Sequence, residues 1–231
     1  MAKKILFLGA NNTGKTHIML VVGKILTELK NEVLLIDNSS SKGVYNYFNY
    51  NTDVESEIAA TSQEIVRENI CIRSNIGKIQ EEQYDYILIE SDNVNQNLNA
   101  FSKVFIVQNY DKDKLIKNKE IIKHYNNSSD FCNVHFVFNQ MLQNVSDREY
   151  LFQELIEVMK NKTQILKNED IEIPFLEEDL IVSSLNKFNG GIKLKKYSGD
   201  FKQSIFQLIN FIMDTEIDNK KFKKIIEERR F

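Results

Sequence analysis

Residues 9–16 read GANNTGKT and match the pattern G-x-x-x-x-G-K-T, in which a glycine-rich loop binds phosphate. The chain has only 8 glycines among 231 residues, yet Gly9 and Gly14 occupy both positions that the pattern requires. The apolar run 5–8 precedes the loop and an amphipathic segment follows it, which is the strand–loop–helix context typical of such loops. We therefore expect a nucleotide-binding site here rather than an ordinary glycine turn beside a solvated lysine.

Each part of this loop has an expected contact with the nucleotide. The backbone N–H groups expected around the β-phosphate belong to Gly9, Asn11, Asn12, Thr13 and Gly14. Lys15 would neutralise charge on the β- and γ-phosphates, and the hydroxyl of Thr16 would bind Mg²⁺. His17 could also touch the nucleotide, although a residue at this position more often packs or is solvated at the helix start.

Short apolar runs alternate with helical patterns along the chain. The runs predict strands at 5–8, 33–36, 70–72, 86–89, 104–107, 134–138 and 171–173. Helices are predicted at 15–30 and 112–125, and a third is expected to open at a capping box formed by Ser146 and Glu149. This order predicts an α/β fold, a doubly wound and mostly parallel sheet with helices on both faces. We expect a single domain over 1–231 with a helical tail at 215–231.

Polar residues stand where three of the predicted strands end. Asp37 follows the second strand, Glu90 follows the strand at 86–89, and Asn139 follows the strand at 134–138. Because chemistry in open parallel sheets is found at the carboxyl ends of the strands, these residues are candidates to join the phosphate loop. Asn139 could read adenine, or it could simply form a turn at the strand end. The absence of an N-K-x-D pattern argues against guanine.

Five further segments, in the right order, resemble the ParA/MinD family of P-loop ATPases over nearly the whole chain. They are EVLLIDNSSSKGVYNYF at 32–48, YDYILIESD at 84–92, VFIVQNYDKDKL at 104–115, VHFVFNQM at 134–141 and IEIPFLEED at 171–179. The resemblance implies ATP and Mg²⁺ as cofactors, with Thr16, Asp37 and Glu90 around the metal. It also implies Lys15, Asp37 and Glu90 as catalytic residues, and Asn139 and Pro174 near the base.

Three positions depart from the family pattern. Ala10 replaces the signature lysine that reaches across an ATP-bound dimer, and Ser39 replaces the acid that positions the attacking water. Glu90 stands where the family has an aspartate. Since phosphoryl transfer depends on positioned water and on charge neutralisation, we expect ATP binding with slow or absent hydrolysis. Glu90 or Asp92 could compensate for the missing acid.

Composition sets limits on the partners and the compartment. The formal net charge of −3 gives no argument for direct DNA binding or for an anionic membrane. Cys71 and Cys132 stand apart from other metal-binding residues and are expected to be reduced thiols of a cytoplasmic protein. A homodimer and an unknown protein partner in a larger assembly are both compatible with the family resemblance.

The tail NKKFKKIIEERRF at 219–231 places Phe222, Ile225 and Ile226 on one face among lysines. It resembles the basic amphipathic helix with which MinD-like proteins lie on the inner face of the membrane. The stripe is short and two glutamates dilute the positive face, so we favour a solvated helix end or an oligomer contact.

The resulting hypothesis is an ATP-dependent switch that serves spatial positioning or assembly of a DNA, division, pilus or secretion apparatus. A catalytically inert scaffold of the same fold is the first alternative. The second is an ATP-dependent synthetase resembling dethiobiotin synthetase, which has a glutamate at the position of Glu90. That family continues with a glycine-rich stretch, whereas Ser91, Asp92 and Asn93 follow here.

Overall fold

The computed structural model describes residues 2–48, 64–75, 77, 79–93, 98–125, 134–145, 147–159 and 170–228. Its strands are β1 (Lys3–Leu8), β2 (Val33–Asn38), β3 (Ile65–Arg67), β4 (Ile70–Arg73), β5 (Tyr86–Ser91), β6 (Lys103–Gln108), β7 (Val134–Met141) and β8 (Ile171–Pro174). Its helices are α1 (Lys15–Glu28), α2 (Gly43–Phe48), α3 (Lys112–Tyr125), α4 (Arg148–Glu157), α5 (Glu177–Asn189), α6 (Gly199–Met213) and α7 (Asn219–Ile226).

The eight strands form one sheet in the order β3-β4-β2-β5-β1-β6-β7-β8. Every neighbouring pair is parallel except β3 and β4, which are antiparallel. The central strands are apolar runs because both faces of the sheet are covered, as expected for parallel sheets. The predicted fold class is therefore confirmed.

Alternate residues of the central strands enter two separate hydrophobic cores. Ile5 and Phe7 of β1 face the core that α1, α2, α6 and α7 cover. Leu6 and Leu8 face the other core, which α3 and α4 cover. Helices therefore lie on both faces of the sheet, as the sequence predicts, and all seven parallel strands bring their carboxyl ends to one edge.

Several boundaries differ from the prediction. Asp37, Glu90 and Asn139 lie within β2, β5 and β7 rather than after them, because the ladder continues through these polar residues. The sequence did not predict β3, α2 or α5. In α5 the buried positions include Asp179 and Asn186, so its inner face lacks the apolar periodicity that signals a helix.

Helix α7 packs its apolar face against the core of the protein, and its lysines are exposed. Phe222, Ile225 and Ile226 are each buried to 5% exposure or less, and the ring of Phe222 lies 4.7 Å from that of Phe206 on α6. The three apolar residues of the tail thus belong to the core of the chain, so the stripe is not a solvated helix end. No described helix is long and apolar enough to cross a bilayer.

Cys71 on β4 is a free, half-buried thiol that donates to a carboxylate oxygen of Glu64 at 3.2 Å. Burial raises the pKa of this thiol. It is therefore not activated for chemistry at neutral pH. Cys132 lies outside the described residues.

The N-cap of α4 is Asp147, whereas the sequence pattern placed the cap at Ser146, which lies outside the described residues. The carboxylate of Asp147 accepts a hydrogen bond from the backbone N–H of Tyr150 at 2.8 Å. We expect Asp147→Ala to lower the free energy of unfolding by about 1 kcal/mol, because one N–H of the first turn loses its acceptor. Urea denaturation measures the change. Asp147→Ser should retain most of the stability, and equal losses for both variants would contradict the capping role.

The burial of His135 on β7 leads us to expect a loss of stability in mild acid. Its ring stacks between Phe105 and Phe211 at 5.2 and 5.7 Å. Burial, helped by Lys103 and opposed by Asp214, lowers the pKa of His135 to about 4 from an ordinary 6.5. The folded protein disfavours the imidazolium, so stability is full above pH 6.5 and falls as the pH approaches 4.

The expected loss from this histidine is about 2 kcal/mol between pH 7.5 and pH 5, at roughly 1.4 kcal/mol per pKa unit. Urea denaturation at the two pH values measures it, with His135→Phe as the comparison variant. The variant should show a shallower dependence on pH, and an unchanged slope would refute the assignment.

Candidate functional site

The phosphate loop connects β1 to α1 at the carboxyl edge of the sheet. Gly14 precedes α1 in a left-handed conformation with φ 90° and ψ 6°. A Cβ atom at this position would lie 2.0 Å from Nδ2 of Asn139, and one at Gly9 would lie 2.7 Å from the carbonyl oxygen of Val107. No side chain caps α1. The N–H groups of its first turn therefore face the loop and can bind an anion.

Lys15 lies inside the loop, 2% exposed. Its ammonium donates to the carbonyl oxygens of Gly9 at 2.8 Å and Ala10 at 2.6 Å. Burial lowers the pKa of Lys15, although the carboxylates of Glu90, Asp92 and Asp37 oppose that shift. The present partners of this ammonium are two neutral carbonyl groups. A phosphate would be a charged acceptor, and hydrogen bonds to charged acceptors are stronger.

Thr16 and two carboxylates form an oxygen-rich group beside the loop. Asp37 and Glu90 are register partners on β2 and β5. The Thr16 hydroxyl lies 2.9 Å from both carboxylate oxygens of Glu90. Burial raises the pKa of Glu90 to about 7, with Lys15 opposing the shift and Asp37 adding to it. Two carboxylates and a hydroxyl, completed by phosphate and water, fit the hard-oxygen coordination of Mg²⁺.

Asp37 also organises the loop that follows β2. Its carboxylate accepts hydrogen bonds from the N–H and hydroxyl of Ser39 at 3.1 and 2.6 Å, and from the N–H of Val44 at 2.8 Å. It thereby holds the start of α2. A Cβ atom at Gly43 would lie 2.5 Å from Oγ1 of Thr16, so this loop passes directly beside the expected metal position. The catalytic and metal roles of Asp37 remain predictions.

A hydrogen-bonded group of three side chains, which we name the Ser40 clasp, joins three loops at the mouth of the site. Asn11 of the phosphate loop donates to the Ser40 hydroxyl at 3.0 Å. Ser40 donates its N–H and its hydroxyl to the carboxylate of Asp92, the hydroxyl at 2.5 Å. Burial by itself would raise the pKa of the Asp92 carboxyl. The hydrogen bonds from Ser40 and Asn11 outweigh burial, so the pKa lies below its ordinary value. Ser40 was not predicted.

Asn118 on α3 is a second residue that the sequence interpretation missed. Its Oδ1 accepts the N–H of Ala10 at 2.7 Å, and its Nδ2 donates to the Val107 carbonyl at 3.0 Å and to Gln108 Oε1 at 2.6 Å. The side chain is fully buried and fixes the first half of the phosphate loop. The sequence does contain a signal for this residue, because Asn118 interrupts the apolar stripe of α3 between Leu115 and Ile122.

A β-bulge shapes the other end of the site. Gln140 has φ 56°, and the register with β8 shifts between Asn139 and Met141. The bulge leaves Asn139 facing the phosphate loop, where its Nδ2 donates to the Thr13 carbonyl at 2.9 Å. One N–H of the amide thus braces the loop, and the other remains for a ligand.

Asn139 also borders a cleft of about 70 Å³, small beside the ~300 Å³ of common ligand pockets. Its lining includes Gly14, His17, Asn139, Pro174, Leu176, Asp179, Leu180, Ser183 and Phe201. Nδ1 of His17 lies 3.3 Å from the Ser183 hydroxyl, and burial lowers the pKa of His17 to about 4. The predicted base residues are therefore adjacent, and a nucleobase would have to widen this cleft.

The structure thus assembles the predicted site residues at one edge of the sheet. Asn12 has φ 63° and is exposed, whereas Thr13 is buried and donates its hydroxyl to the Ala10 carbonyl at 3.1 Å. The phosphate-side residues lie on one side of Gly14, and the base-side residues His17, Asn139 and Pro174 lie on the other. The phosphate side of this arrangement can hold an anionic, metal-bound ligand.

No protein-family model and no curated protein matches the sequence. Solved structures do match the fold. A plasmid partition protein from Borrelia burgdorferi bound to AMPPNP has a TM-score of 0.61 at 16% identity, over 93% of this chain and 99% of that one. A ParA family ATPase from Chlorobium tepidum has a TM-score of 0.62 at 15% identity, over 90% and 98% of the two chains.

The septum site-determining protein MinD from Pyrococcus horikoshii, complexed with Mg-ADP, has a TM-score of 0.58 at 16% identity, over 91% of this chain and 95% of that one. These proteins resemble the chain along nearly their full length, and two of them are a ParA family ATPase and a MinD protein, the family that its motifs resemble. The chain therefore has the fold of the ParA/MinD P-loop ATPases.

Proposed function

We propose that the protein is a switch that binds ATP and Mg²⁺ and hydrolyses ATP slowly or not at all. The observation that carries the proposal is the position of Lys15 and Thr16, which the phosphate loop places beside Asp37 and Glu90 at one sheet edge. Binding of AMPPNP and of Mg-ADP by two proteins of the same fold supports the choice of ligand.

Different residues of this chain would bind the phosphates and the metal ion. The N–H groups of the loop and the first turn of α1 would surround the phosphates, and Lys15 would neutralise them. Thr16, Asp37 and Glu90 would hold Mg²⁺, which would neutralise part of the phosphate charge. Because burial raises the pKa of Glu90 to about 7, this carboxyl would release any proton it carries when the cation binds.

We expect slow hydrolysis because of the residues near the expected position of the γ-phosphate. The buried hydroxyl of Ser39 donates to Asp37 at 2.6 Å, and a hydroxyl cannot polarise water as a carboxylate does. Ala10 brings no cation. Loss of such groups lowers turnover by roughly 10³–10⁵-fold in related chemistry. Asp92 is tied to Ser40 and would have to leave the Ser40 clasp to substitute for the missing acid.

The Ser40 clasp gives the switch a physical basis. It joins the phosphate loop to the loops that follow β2 and β5, directly at the mouth of the site. A γ-phosphate that binds differently to the open and the closed clasp would shift the population between them. A plasmid partition protein and a septum site-determining protein among the structural neighbours support a positioning or assembly role. A MinC:MinD complex among the same neighbours supports a protein partner.

The test measures ATP binding and turnover on the same purified sample, with Lys15→Ala as the control for contaminating ATPase. We expect Mg²⁺-dependent ATP binding that Lys15→Ala weakens by at least about 100-fold, since a lost charged contact costs roughly 3 kcal/mol. Turnover should be slow and should disappear in the variant. Equal binding by the wild type and the variant, or no binding at all, would refute the proposal.

The inert scaffold is the second candidate, because Ala10 and Ser39 stand where the family has a lysine and an acid, and the Ser39 hydroxyl is held by Asp37. Tight ATP binding with no turnover that depends on Lys15 would favour the scaffold. Substituting Ser39→Asp tests the same point in the other direction. A rise in turnover would show that the missing acid is what limits the reaction.

A further inference from the structure

Helix α5 presents an apolar stripe to solvent. Ile181, Leu185 and Phe188 are 52%, 48% and 74% exposed. They stand at i, i+4 and i+7, so they lie on the same face of the helix. We name these three residues the α5 stripe. A continuous apolar face of this kind is unusual on a monomeric protein and marks an interaction surface.

The α5 stripe is held outward by polar contacts on the buried face of the helix. The Asp179 carboxylate accepts the N–H and the hydroxyl of Ser198, both at 2.7 Å. Asn186 donates to the hydroxyl of Tyr197 at 3.1 Å. These buried hydrogen bonds tie α5 to the start of α6. Rolling α5 to bury the stripe would leave the Asp179 carboxylate without its donors, which is costly.

The charges of α5 indicate which partner fits. Glu177 and Glu178 are exposed in its first turn, and Lys187 is exposed in its last turn. Two copies of α5 in antiparallel orientation bring the acidic end of each helix beside the basic end of the other. The helix dipoles then also oppose each other, which is favourable. A parallel pair would instead bring four glutamates together.

We propose that the α5 stripe is a self-association surface on which two copies of this chain pair their α5 helices antiparallel about a twofold axis. The contact is isologous, so Ile181 of one copy faces Leu185 of the other. The 13-residue helix is only about 20 Å long, and the contact is smaller than the ~800 Å² per partner of a standard interface. We therefore expect weak, concentration-dependent dimerisation.

The experiment is sedimentation velocity on the full, nucleotide-free chain over a wide concentration range. Absence of nucleotide keeps this test separate from the proposed switch. The wild type should shift from the monomer mass of 27.0 kDa toward twice that value as the concentration rises. Leu185→Glu should remain monomeric throughout. Ile116→Glu is the matched control, because Ile116 on α3 is equally exposed at 48% and lies off the stripe.

Charge exchange tests the antiparallel arrangement. Glu178→Lys and Lys187→Glu should each weaken the dimer, and the double variant should restore it. Circular dichroism tests whether each variant is folded. If Leu185→Glu is unfolded, Ile181→Ser takes its place. A wild type that is monomeric at every concentration would overturn the proposal. Equal effects of Leu185→Glu and Ile116→Glu would also overturn it.

Discussion

Replacing Gly14 by alanine is expected to abolish ATP binding and to lower the free energy of unfolding by about 3 kcal/mol or more. Two causes act together. The φ angle of 90° is a left-handed conformation that L-residues adopt only at a cost. The new Cβ would also lie 2.0 Å from Nδ2 of Asn139, so either the loop or the amide must move. Both movements disturb the N–H groups that would surround the phosphates.

Urea denaturation and an ATP titration measure the two effects. Gly199→Ala is the matched control, because a Cβ there meets nothing within 4 Å. It should change stability by less than about 1 kcal/mol. Adding Asn139→Ala to Gly14→Ala should recover the part of the stability lost to the overlap. If Gly14→Ala alone is as stable as Gly199→Ala, the phosphate loop is not constrained by the φ angle of Gly14 and by Asn139.

Replacing Asn118 by leucine is expected to cost about 3 kcal/mol or more, although Asn118 does not belong to the phosphate-loop motif. The substitution preserves the size of the side chain but leaves the N–H of Ala10 and the amide oxygen of Gln108 without a partner. Buried polar groups without a hydrogen bond each cost about 1–3 kcal/mol. The first half of the phosphate loop would loosen, and ATP affinity should fall as well.

Lys117→Leu, one position earlier on the exposed face of α3, is the control for this substitution. It should leave the free energy of unfolding nearly unchanged. Asn118→Asp retains the acceptor for Ala10 and loses the donor to Val107, so it separates the two halves of the contact. If Asn118→Leu is as stable as Lys117→Leu, the buried contact does not hold the loop.

The sequence by itself determined the sheet and the phosphate half of the site. Apolar runs without alternation require burial on both faces, and helices between them leave parallel pairing as the solution. The carboxyl ends of parallel strands meet at one edge, so the sequence alone predicts that the phosphate loop, Asp37 and Glu90 lie together. Local pattern and chain direction suffice for these conclusions.

Only the tertiary structure decided the contacts between residues far apart in the chain. A local pattern can mark Asn118 as a polar residue in an apolar stripe, but it does not specify that Ala10 is its partner. The Ser40 clasp likewise joins loops that are far apart in the sequence. The bulge at Gln140 aims Asn139 at the phosphate loop, and VHFVFNQM reads as a regular strand. The amphipathic tail gave an apolar stripe but not the surface that covers it, because periodicity specifies a face and only packing specifies its partner.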